Sequence, residues 1–281
     1  MSVPELPSVV WEPIVREALR EDLGRAGDQT TDAVVPEGAQ AAARIVARVP
    51  GIVAGLPMAA AAFRLLDERV EVVPRLRDGD AVTAGATIAE VSGPARAILT
   101  GERVALNILG RLSGIATLTR SVVDGVAGAS VACTRKTTPG LRSLEKYAVR
   151  CGGGANHRFG LDDAVLIKDN HVAVAGGVAP AVARARAAVG HLVKIEVEVD
   201  DLAQLDEALS AGADAVLLDN MGPDDLREAV RRAAGSVVLE ASGGISPETA
   251  PAIAATGVDV LSLGWLTHSA PSLDVALEID R

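Results

Sequence analysis

Residues 192–220, LVKIEVEVDDLAQLDEALSAGADAVLLDN, contain the pattern that decides the fold. Two apolar, β-branched runs at 192–199 and 213–220 flank a helical segment over 201–211, and Gly212 stands where that helix should end. A strand, a helix and a second strand in so short a stretch predict a βαβ unit with parallel strands.

The same alternation extends in both directions from this unit. Further strands are predicted at 130–134, 163–169, 236–242 and 258–264, and further helices at 141–151, 178–189, 223–234 and 247–256. Six such units, with a seventh entered from a long helix over 97–126, predict a (β/α) barrel. An open, doubly wound parallel sheet stays an alternative because the sequence does not fix the strand order.

The first hundred residues follow a different pattern. A helix is predicted over 11–23, a strand bending at Pro50-Gly51 over 41–55, a short helix over 57–66, and then short antiparallel strands. The strand spacing is similar to that of a biotinyl or lipoyl carrier. No lysine precedes Lys136, so the carrier interpretation fails, and an α+β segment is expected.

Composition limits the class of protein. Hydrophobic residues make up 49% and aromatic residues 2%, so the core must be built from Val, Leu, Ile and Ala. A net charge of −10 argues against nucleic-acid binding, and no apolar run is long enough to span a membrane. Two unpatterned cysteines and the absence of a secretory signal indicate a reduced, cytoplasmic protein.

The stretch 134–171, TRKTTPGLRSLEKYAVRCGGGANHRFGLDDAVLIKDNH, gathers positive charge in this acidic chain. It holds three of the four lysines, and its seven Lys and Arg against four Asp and Glu give a formal charge of +3. Glycines and Pro139 interrupt the cations, which is not the pattern of a solvated helix face. The charge reversal predicts a focused site for a small, highly charged anion.

Polar residues end each predicted barrel strand. Because barrel enzymes carry their chemistry at the carboxyl ends of the strands, these side chains are expected to converge on one rim, although strand ends that meet water are often polar as well. The residues are Arg135-Lys136, Lys168-Asp169-Asn170, Glu196 and Glu198, Asp219-Asn220, Glu240 and Ser242, and Gly264.

The last two units contain a candidate phosphate site. Ser242-Gly243-Gly244 leads into a helix that begins at Ser246 or Pro247, and Gly264 follows the final strand. Small residues allow backbone N–H groups to approach a phosphate, and barrels often bind phosphate after their last two strands. A plain turn is the alternative interpretation.

Glu198 and Asp219 form a candidate site for a hard divalent cation. They end neighbouring predicted strands, and two carboxylates suit Mg²⁺ that is held mainly by a phosphorylated substrate. Salt bridges to Lys136 or Lys168 are the competing interpretation, and the two are compatible.

The 134–171 stretch resembles the signature region of the quinolinate phosphoribosyltransferase family. Further motifs match the family's pattern, in order, along nearly the whole chain: EDLGRAGDQTTD (21–32), GERVALNILGRLSGIAT (101–117), KIEVEVD (194–200), LLDN (217–220), EASGGI (240–245) and GVDVLSLGWLTHSAPSLD (257–274).

The resemblance implies an incomplete α/β (TIM-like) barrel with an N-terminal α+β, sandwich-like domain. The N-terminal domain would span residues 1–115 and the catalytic barrel 116–268. A C-terminal tail, 269–281, would pack back on the first domain. A homodimer with shared active sites is expected, and whether dimers assemble further stays open.

The resemblance also implies a reaction. The family transfers the 5-phosphoribosyl group of phosphoribosyl pyrophosphate (PRPP) to quinolinate, releasing pyrophosphate and CO₂ and giving nicotinate mononucleotide for NAD biosynthesis. Mg²⁺ would accompany PRPP, and no organic cofactor is needed.

Roles for individual residues follow from the same resemblance. Lys136, Lys168, Glu198 and Asp219 would carry the catalysis, with Glu198 and Asp219 on the ribose hydroxyls and Mg²⁺. Quinolinate carboxylates would be held by Arg135, Lys136, His157, Arg158 and Lys168, with Arg103 entering from the neighbouring subunit. The 5-phosphate would lie against Ser242, Gly243 and Gly264.

Three rival interpretations remain at this point. One is a relative of the same fold with another acceptor, such as the molybdenum-transport-associated type. Another is a barrel aldolase or decarboxylase, for which Lys168 is a poor Schiff-base candidate because Asp169 and cations surround it. The third is a non-enzymatic scaffold, against which the polar strand ends argue.

Overall fold

The computed structural model describes residues 3–279. The helices are α1 (Ser8–Leu23), α2 (Gln29–Val34), α3 (Leu56–Arg64), α4 (Ala95–Val123), α5 (Arg142–Cys151), α6 (Asp169–Ala175), α7 (Val178–Ala188), α8 (Leu202–Ser210), α9 (Pro223–Ala233), α10 (Ala250–Ala254) and α11 (Trp265–His268). The strands are β1 (Gln40–Ala47), β2 (Gly51–Ile52), β3 (Glu71–Pro74), β4 (Ala81–Val82), β5 (Thr87–Pro94), β6 (Ser130–Cys133), β7 (Ala155–Asn156), β8 (Val165–Ile167), β9 (Ile195–Val199), β10 (Ala215–Asp219), β11 (Val238–Ser242), β12 (Val260–Ser262) and β13 (Val275–Ile279).

These elements form two compact units. Within residues 3–279, the first unit comprises the chain up to Arg120, Thr137–Gly153 and the residues from Leu266 onward. The second comprises Ser121–Lys136 and Gly154–Trp265. No helix in this described range combines the length and the apolar character needed to cross a membrane.

The first unit contains a four-stranded antiparallel sheet in the order β13-β1-β5-β3. Ile45 of β1 is fully buried and lies opposite Ala89 of β5 and Leu277 of β13. The C-terminal residues therefore complete the sheet that the N-terminal residues begin. This separate antiparallel sheet confirms the predicted mixed fold class.

Segment 137–153 belongs to the first unit, although the sequence placed it inside the 116–268 barrel segment. Its helix α5 buries Glu145, which accepts hydrogen bonds from the Thr138 backbone N–H at 3.0 Å and from Arg111 Nη2 at 2.8 Å. Arg111 also donates to the Ala270 carbonyl at 2.9 Å. A buried carboxylate needs such partners, and here they come from α4 and from the chain before α5.

The second unit is a seven-stranded sheet in the order β7-β6-β12-β11-β10-β9-β8. Each neighbouring pair in it is parallel. This is the cyclic chain order of a barrel, with the ring open between β7 and β8, so the incomplete barrel is confirmed and the doubly wound sheet is excluded. The alternating strands and crossover helices of the sequence produce this arrangement directly.

The seventh strand is not the one expected from the long helix, and that prediction was wrong. It is β7, only two residues long, which follows Gly152-Gly153-Gly154. Helix α6 was also not predicted. Both elements are too short to show a hydrophobic period, so the sequence pattern could not reveal them.

Candidate active site

The site residues of the second unit are on the inner face of the open barrel. His157, directly after β7, contacts Glu196 of β9 and Glu240 of β11, strands that are not its neighbours in the sheet. Such contacts pass through the barrel interior. Because side chains on one face of a strand recur every second residue, Glu198 and Ser242 face the interior too.

The register of the adjoining strands shows which of their residues also lie on the inner face of the barrel. Leu217 of β10 lies opposite both Glu198 and Glu240, which places Asp219, two residues further along, on the inner face. Ser242 lies opposite Asp219 on one side and Ser262 on the other. The strand ends therefore bring carboxylates and hydroxyls to one edge of the sheet, as predicted.

Lys168 and Glu198 form an ion pair between the end of β8 and β9. The ammonium is about half exposed and the carboxylate largely buried, with 45% and 14% of the side chains accessible. Lys168 is held in place because its backbone N–H donates to His171 Nδ1 at 2.9 Å, at the start of α6. The pairing confirms the salt-bridge interpretation of Glu198.

Arg135 and Arg158 are half-buried cations that lie close enough to repel each other. Burial, and then the charge of Arg135, lower the pKa of Arg158, while Asp163 and Glu196 oppose that shift. The Arg158 guanidinium donates to the Ala164 carbonyl at 3.2 Å, which restrains its position. Two neighbouring guanidiniums of this kind suit a ligand with more than one carboxylate.

His157, Glu196 and Glu240 form a buried titratable cluster. His157 Nε2 lies 2.9 Å from Glu196 Oε2 and 3.6 Å from Glu240 Oε1. The backbone N–H of Arg158 donates to His157 Nδ1 at 2.7 Å, so the proton of the neutral ring is on Nε2, the nitrogen that lies beside the carboxylates. Both ring nitrogens thus lie beside polar groups of the chain, and a contact with a ligand would require His157 to exchange one of these neighbours.

Glu240 is the most perturbed carboxyl of this cluster. Burial, and then the charge of Glu196, raise its pKa to about 7, whereas His157 and the Ser262 hydroxyl act in the opposite direction. A carboxyl with a pKa near neutrality can gain or lose a proton under ordinary conditions. The sequence marked Glu196 and Glu240 as polar strand ends but did not connect them to His157.

Asp219, Asn220 and Gly243 lie against one another where strands β10 and β11 end. Asn220 has a left-handed backbone (φ 54°), its backbone N–H donates to the Ser242 carbonyl at 2.8 Å, and its side-chain amide donates to Asp219 Oδ2 at 2.7 Å. A Cβ on Gly243, where φ is 90°, would stand 2.1 Å from Asn220 Oδ1 and 2.9 Å from its backbone N. Glycine at 243 therefore makes room for Asn220, a residue that the sequence marked as a polar strand end without giving it a role.

Three further predicted residues lie at two strand ends and on α4. Lys136 is exposed at the end of β6, where its backbone N–H donates to Thr134 Oγ1 at 3.0 Å. Gly264 follows β12, whose end is fixed because the Leu263 N–H donates to the Ala132 carbonyl at 2.9 Å. Arg103 is exposed on α4 in the first unit and is not among the residues of the second unit that form this site.

Two family models match the chain. The quinolinate phosphoribosyl transferase N-terminal domain matches residues 28–113, and the corresponding C-terminal domain matches residues 115–278.

Individual proteins are similar over nearly the full length. A probable nicotinate-nucleotide pyrophosphorylase (carboxylating) of Bacillus subtilis is 49% identical, over 92% of this chain and 90% of its own. The Mycobacterium leprae nicotinate-nucleotide pyrophosphorylase (carboxylating) is 46% identical, over 94% and 95%. The solved nicotinate-nucleotide pyrophosphorylase of Francisella tularensis superposes with a TM-score of 0.94 at 40% identity, covering 100% of this chain and 99% of that one.

Glu240→Gln should remove a pH-dependent loss of stability. The unfolded carboxyl ionises near its ordinary 4.5 and the folded one near 7, so stability present below pH 4.5 is lost as the pH rises to 7. The full shift corresponds to about 3 kcal/mol. Relative to the native chain, the variant should therefore gain unfolding free energy between pH 5 and pH 8 in denaturant titrations. Glu228→Gln, at an exposed ion pair, is the matched control. The same gain in unfolding free energy in both variants would show that the pH-dependent loss does not come from Glu240.

Gly243→Ala should cost more than Gly244→Ala. Both glycines have positive φ, at 90° and 60°, but only a Cβ at 243 meets Asn220. Backbone strain should cost each variant about 1 to 2 kcal/mol, and the clash should add about 1 to 3 kcal/mol at 243. Denaturant unfolding measures the difference, and equal losses would show that Asn220 does not restrict this position.

Proposed function

We propose the reaction of this chain from the family to which it belongs, the quinolinate phosphoribosyltransferases. The chain transfers the 5-phosphoribosyl group of PRPP to the ring nitrogen of quinolinate and releases pyrophosphate and CO₂, giving nicotinate mononucleotide for NAD biosynthesis. The observation that carries the proposal is near-complete coverage by carboxylating nicotinate-nucleotide pyrophosphorylases, together with the paired guanidiniums of the open barrel. The comparisons support this reaction and not the molybdenum-transport-associated alternative.

Quinolinate is held by cations at the rim of the barrel. Arg135 and Arg158 bind its two carboxylates, because planar guanidiniums match carboxylates in a fork geometry. Lys136 and Lys168 add mobile point charges that also suit the pyrophosphate leaving group. His157 contributes where its imidazole exchanges Glu196 for a carboxylate of the ligand. This binding supplies alignment and electrostatic stabilisation, the main needs of a reaction between two polyanions.

Glu198 and Asp219 face the ribose of PRPP. Both carboxylates are on the inner face of adjacent strands, and Asn220 fixes the orientation of Asp219. As pyrophosphate departs, positive charge grows at the anomeric carbon, and two nearby carboxylates stabilise it. Oxygen donors of this kind fit Mg²⁺ that arrives with PRPP: Glu198 and Asp219 would help to hold the ion, which would supply charge neutralisation at the pyrophosphate.

The 5-phosphate lies at the Ser242-Gly243 turn, with Gly264 at the neighbouring strand end. Ser242 is on the inner face beside Asp219, so a ribose on Asp219 directs its phosphate toward this corner. Two glycines in succession leave the backbone N–H groups accessible to the phosphate oxygens.

Loss of CO₂ requires no organic cofactor. Once the ring nitrogen is ribosylated it is a pyridinium, which accepts the electron pair that the adjacent carboxylate leaves behind. Lys168 is not a Schiff-base residue in this scheme, because its ammonium is already engaged in the ion pair with Glu198.

The chain acts as a cytoplasmic homodimer with shared active sites. Arg103 is exposed on α4 of the first unit, where it is available to a second copy of the chain. Its guanidinium completes the carboxylate contacts of the partner's barrel.

The reaction is tested by supplying PRPP and Mg²⁺ with quinolinate or with nicotinate. We expect pyrophosphate and labelled CO₂ from quinolinate, in equal amounts, and no comparable turnover with nicotinate, which lacks the second carboxylate. Product chromatography and trapping of CO₂ provide the measurements. Turnover of nicotinate without turnover of quinolinate would refute the acceptor assignment.

The shared site is tested with two inactive variants. Arg103→Ala and Lys136→Ala should each lower kcat/KM by at least about 100-fold, since each removes a charge from the bound polyanions. Mixed dimers of the two variants should regain part of the activity, because one of the two sites then contains neither substitution. Verified mixed dimers that stay inactive would show that Arg103 acts within its own chain.

A further inference from the structure

Glu240 lies in the barrel, and the proposed reaction gives it no role. It is 5% exposed, on the inner face of β11. The groups that face it are Glu196 from β9, His157 from the end of β7 and the Ser262 hydroxyl from β12, while its register neighbour on β10 is the apolar Leu217. The donor atoms of His157, Glu196 and Glu240 lie within 4.8 Å of one another.

The cluster connects directly to the cations of the rim. His157 is adjacent in sequence to Arg158, and the Arg158 backbone N–H fixes the imidazole. Glu196 acts on the guanidinium of Arg158 as well as on Glu240. His157, which lowers the pKa of Glu240, therefore connects this carboxyl to the rim at Arg158.

We propose that Glu240 holds a proton for this site and takes it up when a dicarboxylate binds to Arg135 and Arg158. The inference rests on the proposed function for the identity of that dicarboxylate, quinolinate. Glu196 serves as a fixed charge, and His157 joins the cluster to the rim.

Charge balance gives the direction in which ligand binding shifts the pKa of Glu240. Before binding, His157 and the Ser262 hydroxyl help Glu240 to stay ionised, against its burial and the charge of Glu196. A bound dianion adds negative charge beside His157 in a medium of low dielectric, so the pKa of Glu240 rises above its free value of about 7. Proton uptake and ligand binding then strengthen each other by linkage.

The proton also matters to the overall reaction. The bond between C2 and its carboxylate breaks, CO₂ leaves, the electron pair stays on C2, and a C2–H bond forms with one proton. Replacement of CO₂ by hydrogen at C2 thus consumes one proton. Uptake on binding brings a proton into the site before the carbon–carbon bond breaks.

The test is calorimetric titration of the native chain with quinolinate at pH 7.5, in buffers of different ionisation enthalpy. We expect uptake of up to about one proton per quinolinate, and a Kd that rises by up to about tenfold per pH unit above pH 7. Glu240→Gln mimics the protonated form, so it should bind quinolinate without uptake and with a nearly constant Kd. Glu240→Asp keeps a carboxyl and should keep the uptake.

Glu228→Gln is the matched control. Hydrogen bonds from Arg231 and Arg232 lower the pKa of Glu228, so it stays ionised over this range and its replacement should leave the uptake unchanged. Binding of quinolinate to the native chain without proton uptake would overturn the inference and leave the proposed function intact, and uptake that persists in Glu240→Gln would do the same. Absence of quinolinate binding would instead overturn the acceptor itself.

Discussion

Cations gathered around one rim of a parallel sheet repel one another, and the carboxylates on the inner face of the barrel oppose that repulsion. Lys168 is paired with Glu198, and the charges of Asp163 and Glu196 support Arg158 against Arg135. Without these acids, the repulsion between two half-buried guanidiniums would be unopposed by any opposite charge. The site is thus a balanced set of charges before any ligand binds.

The parallel sheet converts sequence spacing into proximity. Each β/α unit returns the chain to the same edge, so residues one unit apart become neighbours, as Asp219 and Ser242 do. The open seam between β7 and β8 does not disturb this, because the sheet runs unbroken through β6, β12 and β11. The barrel therefore presents acids and hydroxyls along a continuous arc.

The sequence predicted the fold class because strands, helices and terminating glycines recur with a regular period. It also predicted the polar strand ends, since position along a barrel strand is fixed by topology. It could not reveal that His157 meets Glu240, a contact that depends on how far the barrel interior separates β7 from β11.

Short or buried features could not be predicted from the sequence for related reasons. Strand β7 is two residues long and follows three glycines, so it shows no period. Glu145 is of a residue type usually found at the surface, yet it is buried in the first unit, where Arg111 and Thr138 donate hydrogen bonds to its carboxylate. The left-handed turn at Asn220 depends on a glycine 23 positions later, which local propensity does not register.

The scarcity of lysine has a practical consequence for chemical labelling. Of the four side-chain amines, Lys146 is buried, Lys136 and Lys168 are at the barrel rim, and only Lys194, 77% exposed beside Asp214, lies outside both settings. Acylating reagents and amine-coupled surfaces will therefore react preferentially at Lys194 or at the two lysines of the barrel rim. Immobilisation through a thiol or an affinity tag avoids blocking the very groups under investigation.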